Sequence, residues 1–259
     1  MSSYEFDPKK YQLASGHQND WGNCLIDELH LNGDEIILDL GCGEGTLTAR
    51  LAALVPNGGV VGMDSSVQMI EAAKRLETSN LRFLCRDIDD LDFHQGFDIV
   101  FSNASLHWVR DHDSLLLNVH EALKPRGVAR FNFAGEGNCS NFFSVVRELM
   151  SFTKYSRYFG EFLWPWHMPT VDDYEEKVRG TNLFDFRVWE EVADRSFSAR
   201  EMIGWIEQSS LVPLLEQIAS DDKEAFRDDV VTMMLKRTKK EDGTYLETFR
   251  RINLLARKK

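Results

Sequence analysis

The run Ile36-Ile37-Leu38-Asp39-Leu40, closed by Gly41-Cys42-Gly43-Glu44-Gly45 and followed by Leu47, Leu51 and Leu54, constrains the fold more than any other stretch. A short apolar run ending at glycine predicts a strand, and leucines at i, i+4 and i+7 predict a helix directly behind it. Such a unit must lead back to a parallel neighbour. The rhythm then repeats. Val60 to Met63 reads as a second strand ending at Asp64, and Ser65 or Ser66 can cap a helix whose apolar face carries Met69, Ala73 and Leu76. Leu81–Cys85 and Phe97–Ser102 read as the third and fourth strands. A helix from about Asp113 is expected to bury Leu116, Val119 and Leu123 and to stop at Lys124-Pro125-Arg126-Gly127. Val128–Phe133 is the fifth strand.

Strand–helix alternation on this scale predicts an α/β fold, a parallel sheet with helices on both faces. Beyond residue 134 the rhythm changes. Residues 135–181 are crowded with aromatics (Phe142, Phe143, Tyr155, Tyr158, Phe159, Trp164, Trp166) and show little strand pattern. Phe186–Val192 reads as a strand, Phe197–Leu215 as helical, and Arg250–Ala256 as the last of seven strands, after a turn at Glu241-Asp242-Gly243-Thr244. The expected organisation is a core over 1–134, an aromatic cap insert over 135–181, and closing strands over 182–259 with a helical cap insert near 198–240. The two inserts should sit together over one edge of the sheet.

Composition excludes several classes of function. Thirty Lys and Arg against 42 Asp and Glu give a net charge of −12, which disfavours nucleic acid and anionic membranes as partners. No apolar stretch approaches the roughly 20 residues that cross a bilayer, and MSSYEFDPKK lacks the pattern of a secretory leader. Cys24, Cys42, Cys85 and Cys139 form no CxxC pair, so reduced thiols and a cytoplasmic location are expected. His107 and His112 lie five apart without a further His or Cys nearby, so no metal site is expected. The basic group Lys236, Arg237, Lys239, Lys240 is short and followed by acids, and reads as a solvated turn.

Chemistry concentrates in Asp39-Leu40-Gly41-Cys42-Gly43-Glu44-Gly45. Glycines there let backbone approach a ligand, and the helix N-terminus behind them offers unpaired N–H groups. The spacing is GxGxG, unlike the GxGxxG of nicotinamide-binding turns. Asp64 closes the next strand, where a carboxylate can accept both hydroxyls of a ribose.

These residues resemble motif I of the class I S-adenosylmethionine-dependent methyltransferases, and Asp64 falls on that family's ribose-binding acid. Cys85-Arg86-Asp87-Ile88 is similar to the segment after its third strand, where an acid faces the adenine amino group. Asn103-Ala104-Ser105-Leu106-His107-Trp108 is similar to the segment after its fourth strand, beneath the methionine moiety. The resemblance implies a Rossmann-like, seven-stranded, mostly parallel sheet with a helical, aromatic-rich cap, and S-adenosylmethionine as cofactor. It also implies cofactor contacts from Tyr11, Asp39, Gly41, Cys42, Gly43, Gly45, Asp64, Ser65, Met69, Asp87, Ile88, Asn103, Ala104 and Ser105.

Two groups within that superfamily are nearest. Asn103–Trp108 followed by Asp111-His112 resembles trans-aconitate methyltransferases. Tyr11–Asp20 together with Leu106-His107-Trp108 looks like the juvenile hormone acid methyltransferases, in which a Gln and a Trp at the positions of Gln18 and Trp108 hold the substrate carboxyl. Trp164-Pro165-Trp166-His167 is similar to that group's cap. Both groups make methyl esters, which implies Gln18, Trp108 and His107 as acceptor-site residues, a small-molecule carboxylic acid as partner, and a monomer or homodimer. Three other readings stay open. A polycarboxylate acceptor would want pocket cations, with Arg110, Lys154 and Arg157 as candidates. Methylation of nitrogen, carbon or an uncharged oxygen would want a base such as His107 or His167. A cofactor-binding protein without catalysis is the last.

Overall fold

The computed structural model describes residues 16–259. Its central element is a seven-stranded sheet in the order β3-β2-β1-β4-β5-β9-β6. The strands are β1 (Ile36–Leu40), β2 (Gly59–Asp64), β3 (Leu81–Cys85), β4 (Phe97–Asn103), β5 (Leu123–Ala134), β6 (Phe184–Val192) and β9 (Arg250–Lys258). Strands β1 to β5 pair in parallel, and β9 runs antiparallel between β5 and β6. The central strands are buried on both faces, with Ile37, Leu38, Val100, Phe101 and Phe131 inaccessible, as a sheet covered on both sides demands.

Helices α1 (Gly16–Asp27), α2 (Thr46–Leu54), α3 (Val67–Ala73), α4 (His112–Ala122) and α6 (Val171–Thr181) flank the sheet. Ser66 caps α3, its hydroxyl accepting from the Met69 N–H at 3.3 Å. Asp111 caps α4, accepting from the N–H groups of Asp113 and Ser114. Two expectations are corrected here. Leu76 is 40% exposed, because α3 ends at Ala73 and Lys74–Leu76 tightens into a 3-10 turn that leaves the apolar face. Leu123 opens β5 rather than closing α4, and Lys124 to Gly127 continue as extended strand with a register shift against Phe97/Ile99, as proline allows at an irregular strand end.

The aromatic segment is helical at its start: α5 (Ser140–Ser151) buries Phe142, Phe143, Val145, Val146 and Leu149. The buried Glu247 carboxylate accepts from the Asn141 and Phe142 N–H groups, a favourable charge at that helix N-terminus. Farther on come β7 (Arg195–Phe197), α7 (Ala199–Trp205), a π turn at Ile206–Ser210, α8 (Val212–Gln217), α9 (Ser220–Thr238) and β8 (Tyr245–Glu247). Phe197 thus lies in the small β7–β8 sheet and not in a helix, since Ser198 caps α7 with a capping box to Glu201. Lys236 and Arg237 belong to the last turn of α9. Residues from α5, α7, α9 and the Trp166 segment share one hydrophobic cluster with Trp21 of α1, separate from the two clusters that line the sheet. Among the described residues no helix is long and apolar enough to cross a membrane.

Candidate active site

Strand order reverses between β1 and β4, and a ligand crevice is expected outside the carboxyl ends of the strands at such a point. A cavity occupies that place, with about 1240 Å³ free of protein atoms including its open mouth. Gly41 and Gly43 line it after β1, Asp64, Ser65 and Met69 after β2, Asp87 and Ile88 after β3, and Ala104 and Ser105 after β4. The same cavity continues to Gln18, His107, Trp108, Phe143, Trp166 and Arg251.

Local geometry explains the glycines. Gly41 has φ +72°, and a Cβ there would stand 2.2 Å from the Ser105 hydroxyl, which donates to the Gly41 carbonyl at 2.9 Å. Gly43 has φ +56° and nothing within 4 Å of where a Cβ would be, so its backbone faces open space. Asp64 ties this turn down, its Oδ2 accepting from the Gly43 N–H at 3.0 Å and its Oδ1 from the Ser66 N–H at 2.9 Å. Asp87 caps the short turn Ile88–Asp90. A backbone turn open to the cavity, two carboxylates at the ends of β2 and β3 and small residues after β4 fit a nucleoside carrying an amino-acid tail.

The remaining described residues expected at the cofactor stand behind the wall. Asp39 is 2% exposed and accepts from the Thr48 hydroxyl at 2.7 Å. Burial, with the negative Asp64 and Glu44 nearby outweighing that bond, pushes its carboxyl up to about 7. Cys42 is buried, and Gly45 abuts the Phe83 ring. The Asn103 amide donates to the Gln18 carbonyl at 2.9 Å, which ties α1 to the end of β4. Tyr11 lies outside the described residues.

That tie brings the acceptor-side residues together. Gln18 from α1 and Trp108 from the turn after β4 face one cavity, and Trp108 packs on Trp166 with ring centroids 5.5 Å apart. Gln18 Oε1 and His107 Nδ1 are buried with no hydrogen-bond partner among the described residues. Burial, and then Arg251 and His112, lowers His107 to about 3, so its imidazole is neutral at physiological pH. His112 is structural, bonded to the Tyr174 hydroxyl at 3.2 Å and the Leu106 carbonyl at 3.0 Å. His167 does not line the cavity, and its backbone N–H donates to the His107 carbonyl at 2.8 Å.

The cations proposed from the sequence are elsewhere. Arg110, Lys154 and Arg157 are exposed, holding the Trp164 carbonyl, Asp229 and Asp222 respectively. Among the described residues the cation in the cavity wall is Arg251, with His17 and Trp21 beside it, and sequence reasoning missed all three as site residues. Arg251 is the second residue of β9 and reaches the carboxyl edge of β5 through the antiparallel register, which local sequence does not announce.

Comparison with known proteins agrees with this geometry. Residues 37–127 match the family model described as a methyltransferase domain. A trans-aconitate 2-methyltransferase of Deinococcus radiodurans is 32% identical over 200 residues, spanning 74% of this chain and 75% of that protein. The chain belongs to the class I S-adenosylmethionine-dependent methyltransferases. This methyltransferase is also 27% identical over 257 residues to a trans-aconitate 2-methyltransferase of Mycobacterium tuberculosis, covering 97% of this chain and 96% of the other. Among solved structures, a phosphoethanolamine N-methyltransferase 2 of Haemonchus contortus in complex with S-adenosylhomocysteine shares the fold (TM-score 0.61, 18% identity, 97% of this chain and 56% of that one). S-adenosylmethionine is the cofactor of this methyltransferase.

Proposed function

We propose that this methyltransferase converts a small-molecule carboxylic acid to its methyl ester. When bound, S-adenosylmethionine supplies a sulfonium methyl group open to displacement by a well-placed lone pair. We assign its site to the Gly41–Gly45 turn, with Asp64 toward the ribose and Asp87 toward adenine. The residues over 1–134 form the cofactor-binding half, and those over 135–181 and near 198–240 cover the acceptor. We place the protein in the cytoplasm as a monomer or homodimer.

One observation carries the reading: Gln18 and Trp108, which face the acceptor end together, are neutral, and the buried imidazole beside them is too weak a base to activate a poor nucleophile. His107 at about 3 would take a proton from an amine or hydroxyl only against a large gradient. A carboxylate, with an ordinary pKa near 4, is already ionised and needs no base. What remains for the protein is orientation and exclusion of water. Gln18 and the Trp108 indole are neutral side chains suited to aligning a carboxylate whose charge disappears as the ester forms. Trp166 and Phe143 beside them keep the wall apolar. The two trans-aconitate 2-methyltransferases among the relatives are named for a carboxylic acid, which favours the same reaction. Transfer of a labelled methyl group to a panel of aliphatic, aromatic and polycarboxylic acids tests the proposal, and an ester product is expected.

A further inference from the structure

Strand β6 is the outer edge of the sheet: it pairs with β9 on one side and, among the described residues, with no strand on the other. Its nine residues contain no proline and stay in one continuous register with β9. Free N–H and C=O groups on so long an edge are a template for pairing with another chain. The ladder to β9 tells which groups these are. At its two ends the Lys259 N–H donates to the Leu183 carbonyl at 3.2 Å and the Ala193 N–H to the Phe249 carbonyl at 2.9 Å, so the odd-numbered residues of β6 bond inward. The backbone groups of Phe186, Val188, Glu190 and Val192 therefore point outward. Side chains alternate as well. Phe184 and Val188 join the buried cluster that holds Tyr174 and Val178 of α6, and Arg187, Trp189 and Glu191 share the opposite face. Arg187 and Glu191 are exposed, and the Arg187 guanidinium lies over the Trp189 ring at 4.9 Å.

An antiparallel copy of β6 can bond to those outward groups only where even-numbered residues face even-numbered ones, which puts a two-fold axis on a residue. Charge then chooses the residue. An axis at Arg187 or Glu190 sets a charge against itself, and one at Val188 sets Asp185 opposite Glu191. An axis at Phe186 overlaps residues 184–188 alone. An axis at Trp189 overlaps residues 186–192 and twice sets Arg187 opposite Glu191 of the other copy. It also sets Trp189 opposite itself and Phe186 opposite Val192, which is 60% exposed. The Arg–Glu and Trp–Trp pairs fall at non-hydrogen-bonded positions, where facing side chains come closest and such pairs stabilise most. We propose that β6 is a dimer interface, pairing with β6 of a second copy about a two-fold axis at Trp189 so that one sheet runs through both copies. The two cofactor cavities then open on opposite edges of that sheet. This assembly is independent of which acceptor is methylated.

Sedimentation equilibrium of the purified protein is the test, with wild type expected as a dimer at micromolar concentration. Arg187→Glu or Glu191→Arg alone sets like charges opposite each other and should raise the dimer dissociation constant by about tenfold or more. Combining the two restores opposite signs and should recover most of the wild-type value, and an equimolar mixture of the two single variants should form a mixed dimer. Glu190→Pro removes one outward N–H and no bond to β9, and should also weaken the dimer. Calorimetric binding of S-adenosylhomocysteine, expected at wild-type affinity in each variant, reports an intact fold. A monomeric wild type, or a dimer indifferent to both single charge reversals, overturns the proposal. Should the variants lose cofactor binding, hydrogen exchange of wild type decides. Slower exchange at Phe186, Val188, Glu190 and Val192 as protein concentration rises is expected, and no change there overturns the proposal.

Discussion

Replacing Asp64 by alanine tests whether the end of β2 organises the cofactor turn. Its two carboxylate oxygens accept from the N–H groups of Gly43 and Ser66 at 3.0 and 2.9 Å, so one side chain holds the glycine turn and the start of α3 in register. Bonds of a backbone N–H to a carboxylate contribute about 1.5–3 kcal/mol each when partly buried, and both vanish with alanine. If half of that loss falls on the cofactor-bound turn, the deficit is about 2 kcal/mol, a roughly 30-fold weaker Kd. Any direct contact from Asp64 to the ribose adds to this. Asp64→Asn keeps one acceptor oxygen and should fall between alanine and wild type. Calorimetric titration with S-adenosylhomocysteine gives the Kd, and a thermal melt of the free protein separates turn stability from ligand contact. An alanine variant within twofold of wild type in Kd would refute the reasoning.

Three further outcomes are expected. Gln18→Ala and Trp108→Phe should each lower kcat by about tenfold with S-adenosylhomocysteine affinity unchanged, and the double variant should lose less than the product of the two, since both orient one group. The rate should be flat from pH 6.5 to 9, because His107, lowered to about 3, stays neutral and the acceptor stays ionised across that range; a limb near pH 6.5 abolished by His107→Ala would count against it. In acid the fold should weaken. Burial holds His17 and His107 at about 3 and His112 at about 4, below the ordinary 6.5, so their contribution is complete above 6.5 and is lost as the pH falls toward 4, where only the unfolded chain takes up these protons. Asp39, raised to about 7, works the other way by keeping its proton in the fold, and three sites against one leave a net loss on the order of 2–3 kcal/mol per pH unit near pH 5, measurable by urea titration.

The core was legible where local signals suffice. Strands β1 and β3 fall on the residues expected, Ile36–Leu40 and Leu81–Cys85, because short apolar runs bounded by turn residues have one reading. The turn with Gly41, Gly43 and Asp64 was equally readable, since glycines and an acid at strand ends serve few other purposes. Illegible features depend on contacts distant in sequence. The three-residue strands β7 and β8 carry almost no periodicity of their own and are defined by pairing each other. Arg251 looked like one polar residue at the start of a strand; only the antiparallel register with β5 brings it into the cavity. Arg110, Lys154 and Arg157 were candidates because a polycarboxylate acceptor would want cations, yet the aromatics around them pack inward and leave the charges outside. Helix α5 could have been read: Phe142, Val145, Val146 and Leu149 follow helical spacing, but the density of aromatics on either side obscured it.

The most direct measurement concerns the bond that is made. The purified methyltransferase is incubated with methyl-labelled S-adenosylmethionine and the best acid of the panel, and the labelled product is treated with mild alkali. Carboxyl methylation predicts that the label is released as methanol, and that the same acid supplied with all its carboxyls already esterified accepts none. A product whose label survives alkali, or equal transfer to the fully esterified acid, would contradict methyl-ester formation.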